Sequence, residues 1–177
     1  MFGNATEVMY VIGQILGIIA VVIGFFTYQM KTAGKLLIFE LIVSFLFSAH
    51  YLLIGATGAM ALNFLCGVRC VFYYFRNKRG SQSKLLPIVF TVLIVATSIL
   101  TWEGWYSVFI MAGLAVHSLA TAMADAQKIR FAMFIKNPLC LAYNVMVLSI
   151  GGIAYECTVL VSSIIGVLRN RKQSKSR

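Results

Sequence analysis

Residues 60–79, MALNFLCGVRCVFYYFRNKR, decide how the chain is read. The run is apolar for most of its length, holds one asparagine (Asn63) and one arginine (Arg69), and closes on a burst of positive charge, Arg76-Asn77-Lys78-Arg79. At a rise of about 1.5 Å per residue, a helix of this size spans about 30 Å, the thickness of a bilayer's hydrocarbon core. Residues 153–172, IAYECTVLVSSIIGVLRNRK, repeat the plan, with Glu156 in the place of Asn63 and Arg169-Asn170-Arg171-Lys172 as the basic end. Each half of the chain therefore contains a helix with a polar group at matching depth and a positively charged anchor.

Composition agrees. Of 177 residues, 60% are hydrophobic and 11% charged, and the mean hydropathy is +0.90. Soluble domains are about 45–50% apolar and about 25% charged, so the solvent implied here is lipid, and no soluble domain of ordinary size fits beside the apolar runs. The net charge of +10 invites a nucleic-acid reading. Its placement argues against that, because the basic residues lie in short connections between apolar runs, the topology signal of membrane proteins. The basic tail 169–177 suits anionic lipid headgroups. Cys66, Cys70, Cys140 and Cys157 all fall inside apolar runs. Cys66 and Cys70 are one helical turn apart, but no nearby His or carboxylate completes a metal set, so they read as packing residues. Neither a disulfide framework nor a cofactor is implied.

Seven apolar runs follow one another: residues 8–28, 36–54, 59–75, 85–101, 106–124, 129–149 and 153–168. The first is too long for a signal-peptide core and has Glu7, not a basic residue, before it, so it is expected to be a mature helix. Its Gly13, Gly17, Ala20 and Gly24 form a seam of small residues for a close neighbour. Gly113, His117, Ala120 and Ala124 form a similar stripe in the fifth run, which turns His117 toward a neighbouring helix. Pro87 suits a first helical turn, and Pro138 lies mid-helix, where it removes a backbone bond. Trp102, Trp105 and Tyr106 are placed as a headgroup-level aromatic cluster. Gly55 to Gly58 and Gly151-Gly152 read as tight turns.

Connections with Lys31 and Lys35, with Arg76 to Lys84, with Lys128 and Arg130, and the tail are basic. They alternate with connections that lack Lys and Arg and carry Glu7, Glu103 or Glu156. The positive-inside rule then places the N-terminus outside, the C-terminus in the cytoplasm, and an odd number of spans between them. The expected fold class is an all-α multi-pass membrane protein of seven transmembrane helices.

A shift of 93 positions lays Lys35 to Arg79 over Lys128 to Lys172 without a gap. It matches Ile42 with Ile135, Leu46 with Leu139, Ala49 with Ala142, Gly58 with Gly151, Val68 with Val161, Arg76 with Arg169 and Asn77 with Asn170. The organisation expected is a first three-helix repeat over 1–84, a linker helix over 85–103 and a second three-helix repeat over 104–177, two parallel repeats of the kind found in SWEET transporters.

Counting helical rise from the basic ends places Glu40, Arg69 and Lys136 roughly 10 Å inside the cytoplasmic interface. Charges at that depth are paired or face a cavity, so an acid–base cluster of Glu40 with Arg69 or Lys136 is expected, against the plainer alternative that Lys136 snorkels to the headgroups. A second layer, roughly 20 Å in, collects Gln14, His50, Asn63, Tyr143, Asn144 and Glu156 as candidate substrate-binding residues. Neutral polar residues also serve as interhelical glue, and that is the plainer reading for each one singly.

The motifs His50-Tyr51-Leu52-Leu53-Ile54-Gly55, Gly58-Ala59, Asn63 and Arg69, with Tyr143-Asn144, Ser149-Ile150-Gly151-Gly152, Glu156 and Arg169, resemble the YgjV-like bacterial inner membrane proteins over nearly the whole chain. That family is similar to the wider SWEET, PQ-loop and PnuC-like group, and the resemblance implies a three-plus-one-plus-three helix plan and an inner-membrane location. The group's Pro-Gln signature falls at Tyr28-Gln29, where the proline is missing. SWEET-type transporters hold substrate between two asparagines. Asn63 matches one, and Glu156 departs from the other, which implies a cationic substrate or a proton in place of a neutral sugar.

Three functions are weighed. The first is a small-solute transporter or facilitator, whose partners are the bilayer, an unidentified solute and, compatibly, further copies in a homo-oligomer. The second is a structural or regulatory membrane protein. The third is a membrane-embedded enzyme, disfavoured because Gly-x-Ser-x-Gly and His-Glu-x-x-His are both absent from the sequence. No nucleic-acid partner, metal or catalytic residue is expected.

Overall fold

The computed structural model describes residues 2–55, 57–81, 83–102, 104–146 and 150–174, with side chains from Glu7 to Met146 and from Gly151 to Arg169 within those ranges. Glu103, Ser149 and the side chains of the basic run after Arg169, all used in the sequence reading, lie outside them.

The described residues form seven helices: α1 (Phe2–Thr27), α2 (Ala33–Leu53), α3 (Thr57–Lys78), α4 (Leu85–Leu100), α5 (Ser107–Thr121), α6 (Ala126–Met146) and α7 (Ile150–Ser174). Four segments are long and apolar enough to cross a membrane, Glu7–Thr27, Ala33–Leu53, Thr57–Lys78 and Gly151–Arg169, while Leu85–Leu100 and Ser107–Thr121 are apolar but shorter. α6 has the length of a span but carries Lys128, Arg130 and Lys136.

Local chemistry sets the ends. Thr32, in extended conformation, accepts from Lys35 N–H and starts α2, satisfying one of the orphan donors of a first turn. After α3, Gly80 takes φ +65°, its N–H bonds Asn77 O at 3.1 Å and Ser81 N–H bonds Arg76 O at 3.1 Å, the paired closure that a glycine just past a helix permits. Asp125 Oδ1 accepts from the N–H of Gln127 (2.8 Å) and of Lys128 (3.4 Å). This cap starts α6 at Ala126, so Lys128 and Arg130 belong to the helix and not to a loop. Gly151 and Gly152, expected to turn the chain, also lie inside a helix, α7. Gly152 is there for close approach, since its missing Cβ leaves room for the Asn144 amide.

Packing is inverted relative to a soluble protein. The largest fully buried side chains are Arg69 and Arg130, while Ile12, Ile15, Ile18, Val22 and Phe26 point outward from α1. Only a lipid surround makes such an exterior stable, since it removes the cost of exposed apolar surface and raises that of exposed charge. The glycine seam of α1 faces inward: a Cβ on Gly13 would meet Leu53 and Ile54 at 3.2 Å, one on Gly17 would meet the His50 ring at 3.1 Å, and one on Gly24 would meet Tyr155 at 2.7 Å. α1 thus packs on α2 and α7. Further contacts join α2 to α3, α5 to α6, α6 to α7, α3 to α4, α4 to α5 and, more narrowly, α2 to α6.

Two arginines close one end of the bundle. Arg130 Nε donates to Tyr28 O at 2.6 Å and its Nη2 donates to Met30 O. Arg76 Nη2 donates to Ala122 O, at the end of α5. Terminal helix carbonyls lack intrahelical donors and sit at the negative end of the macrodipole, so guanidinium groups suit them.

A Cβ on Gly166 would overlap the Tyr28 carbonyl oxygen and stand 2.8 Å from Arg130 Nε, whereas Gly151 has open space around it. Gly166→Ala should therefore lower stability by about 1–3 kcal/mol, the usual cost of overpacking, and Gly151→Ala should not lower it. Thermal unfolding of the two variants in detergent, each against the parent, measures both.

Candidate functional site

A cavity of about 340 Å³ lies between the helices, within the range of small-molecule sites. Its deep end is formed by Tyr28, Glu40, His117 and Lys136, its walls by Ser44, Phe47, Cys66, Cys140 and Tyr155, and its upper part by Asn63, Thr101, Tyr143 and Asn144. It runs toward the α2–α3, α4–α5 and α6–α7 connections, where Ile54, Gly58, Ser107 and Gly152 line it.

Two ion pairs organise the lining. Arg69 Nη2 donates to Glu40 Oε1 at 2.6 Å, joining α3 to α2. Lys136 Nζ donates to both oxygens of Glu156, at 2.6 and 2.8 Å, joining α6 to α7. With the Asn137 amide nitrogen turned toward Glu156, it donates to Oε2 at 2.9 Å, and Lys136 Nζ also lies 5.6 Å from the centre of the Tyr155 ring. The four charged side chains are 8% exposed or less, so each needs its partner.

His117 completes the first pair. Its Nδ1 lies 3.4 Å from Arg69 Nη2 and its Nε2 lies 3.4 Å from Glu40 Oε1. A guanidinium only donates, so Nδ1 is the acceptor, the ring is neutral and its proton sits on Nε2, facing Glu40. Glu40 Oε2, Arg69 Nε and Nη1 and His117 Nε2 have no hydrogen-bond partner among the described residues, so the contact of His117 with Glu40 is one of proximity.

The sequence-derived candidates separate on this geometry. Asn63, Tyr143, Asn144 and Glu156 line the cavity, and Glu40 and Lys136 line its floor. Arg69 stands behind Glu40. Gln14 is exposed on the outer face of α1. His50 donates from Nδ1 to Gly13 O at 2.7 Å, as interhelical glue, and it is the next residue, Tyr51, that lines the cavity. Depth along a helix was readable, but one residue of shift turns a side chain by about 100°.

Of the two partners expected for Glu40, the structure takes Arg69, while Lys136 has its own acid. Lys136 and Glu156, assigned to layers about 10 Å apart, bond directly, because the long lysine stem extends inward along the bundle instead of snorkelling to the headgroups. Glu156 is thereby neutralised, so the implication that it would attract a cation or a proton does not follow from this geometry. His117, Tyr51 and Tyr155 were not anticipated as site residues. The stripe holding His117 was the available signal, since it pointed that ring at a neighbour.

The pair assignments make a stability prediction. Glu40→Gln and Arg69→Met should each cost about 3–5 kcal/mol by orphaning a buried charge. The double variant should recover much of that loss, whereas Glu40→Gln with Lys136→Met should come closer to additive. Double-mutant cycles on detergent melting temperatures read this coupling.

No curated protein and no solved structure matches the chain. The Imp-YgjV family, described as bacterial inner membrane proteins, matches residues 11–174. That span runs from within α1 to the end of α7 and takes in every residue that lines the cavity, and the chain belongs to this family of bacterial inner membrane proteins.

Proposed function

We propose that the chain is a small-solute transporter or facilitator of SWEET-like plan, with α1–α3 and α5–α7 as two three-helix units and α4 as the linker between them. The observation that carries this reading is the cavity: Asn63 and Glu156, which the repeat makes equivalent, line one polar space at the interface of the two units. Repeat transporters bind substrate near the midplane at that interface. The packing supports the same division. α1 meets α2 and α2 meets α3, as α5 meets α6 and α6 meets α7, with α4 between α3 and α5 and α2 touching α6.

The two arginine caps fit the reading. Arg130 of the second unit holds the carbonyls at the end of α1, and Arg76 of the first holds the end of α5. They tie the units together on the side with basic connections, while the cavity runs toward the bare side. With the basic side taken as cytoplasmic, this reading makes the state outward-facing. The proposed orientation has the N-terminus outside and the basic end in the cytoplasm, and the role is binding and passage, with no bond-breaking chemistry assigned to any residue. In the alternative reading, a structural or regulatory membrane protein, the polar residues only hold helices together, as His50 does on Gly13.

Purified chain in proteoliposomes, screened with a mixture of small metabolites, should accumulate at least one solute. Asn63→Ala should lower that uptake by about tenfold, the effect of losing one good hydrogen bond to the substrate, without loss of folded protein, because among the described residues Asn63 Nδ2 bonds only Ala59 O of its own helix. Gln14→Ala, on the outer face, should leave uptake intact. Undiminished uptake by Asn63→Ala would leave this layer a packing role. A cytoplasm-dependent reporter should give signal when fused after Arg177 and none when inserted near Gly58; the reverse would overturn the orientation.

A further inference from the structure

We propose that the cavity selects solutes of zero net charge, uncharged or zwitterionic, and excludes both cations and anions, because its own fixed charges cancel. This inference rests on the transport reading and names the charge class of what passes.

Among the described residues, the charged groups facing the space, taken helix by helix, are few. α2 supplies Glu40, with Arg69 of α3 behind it, and α6 and α7 supply Lys136 and Glu156. The other titratable linings are Tyr28, Tyr51, Tyr143 and Tyr155, Cys66 and Cys140, and His117. Phenols and thiols are uncharged near neutral pH, and the position of His117 between a guanidinium and a carboxylate leaves it neutral, as derived above. Two acids and two bases remain, each bonded to its opposite. A solute with a net charge would leave water for a space that offers no counter-charge, and buried unpaired charge is the costliest arrangement a protein can hold.

The same lining rewards a polar solute without net charge. Ser44, Asn63 and Thr101 set neutral polar groups beside the rings of Phe47 and Tyr155. A group that both donates and accepts hydrogen bonds can use these sites without shifting the charge balance. The rule is also reversible. Removing one charge should turn the cavity into an ion site of the opposite sign.

Cys66 and Cys140 line the space, so the native chain reports on what enters it. Full-length protein in detergent is treated with three methanethiosulfonates of similar size, one neutral (n-butyl), one cationic (trimethylammonioethyl) and one anionic (sulfonatoethyl). Rates at each cysteine are read by peptide mass spectrometry and divided by each reagent's rate on free cysteine. The neutral reagent should label Cys66 and Cys140 at least about tenfold faster than either ion, and Lys136→Met should raise the cationic rate, and Glu156→Gln the anionic rate, by about tenfold, as one uncompensated charge across several ångströms of protein implies. The double variant, neutral again, should return to the parent pattern. Because breaking a buried pair can prevent folding, Asn63→Asp serves as a second probe. It adds one negative charge at a half-buried wall position without breaking a pair, and should speed the cation and slow the anion.

Parent protein labelled equally by all three reagents, or variants that change both ions alike, would overturn the charge rule while leaving the cavity as a solute path. Failure of even the neutral reagent to reach Cys66 or Cys140 would overturn the transport reading itself, and the inference with it.

Discussion

In a lipid surround a charged side chain must find its counter-charge inside the protein. Water is absent from the hydrocarbon, and an isolated ion there is expensive. Glu40 with Arg69, and Lys136 with Glu156, meet that requirement at 2.6 Å each, and much of the architecture follows. Each pair fixes a neighbouring helix couple, α2 with α3 and α6 with α7. The two pairs have opposite polarity along the chain: in the first the acid precedes the base, in the second the base precedes the acid. Neither pair is the repeat image of the other, since the 93-residue shift places Arg69 on Ser162 and Lys136 on Val43. What the halves share is the requirement, met by different residues.

The arginines at the closed end obey a different constraint. Helix ends leave carbonyls without donors, and Arg130 and Arg76 supply donors from across the bundle. Arg130 is fully buried although it lies only four residues into α6. Among the described residues no carboxylate pairs with it; its charge is met by the peptide dipoles of Tyr28 and Met30 and by Gln127, whose side-chain oxygen lies 3.1 Å from Nη1. Charge and backbone accounting thus use the basic residues for two jobs, pairing within the membrane and capping near its edge.

Much of the helical plan was legible beforehand because hydropathy and terminal charge are one-dimensional signals. Apolar runs and basic ends act through residues close in sequence. Two details escaped. The start of α6 was placed at 129, when the Asp125 cap begins it at Ala126, and Gly151-Gly152 was taken for a turn when Gly152 makes room for Asn144. In the site, Asn63 and Glu156 were found through the repeat, and Tyr143 and Asn144 through depth. Gln14 and His50 were at the right depth and on the wrong side of their helices.

The sequence by itself determined that this chain meets lipid, that it is helical, where its apolar runs lie and which polar residues sit among them, because composition, periodicity and local capping depend on neighbours along the chain. Only the tertiary structure decided that Glu40 takes Arg69, that Lys136 reaches Glu156, that neutral His117 joins the first pair and that Tyr51, not His50, faces the cavity. Those facts depend on the rotation of each helix about its axis and on the contacts between helices far apart in sequence, set when seven amphipathic surfaces bury their polar faces together.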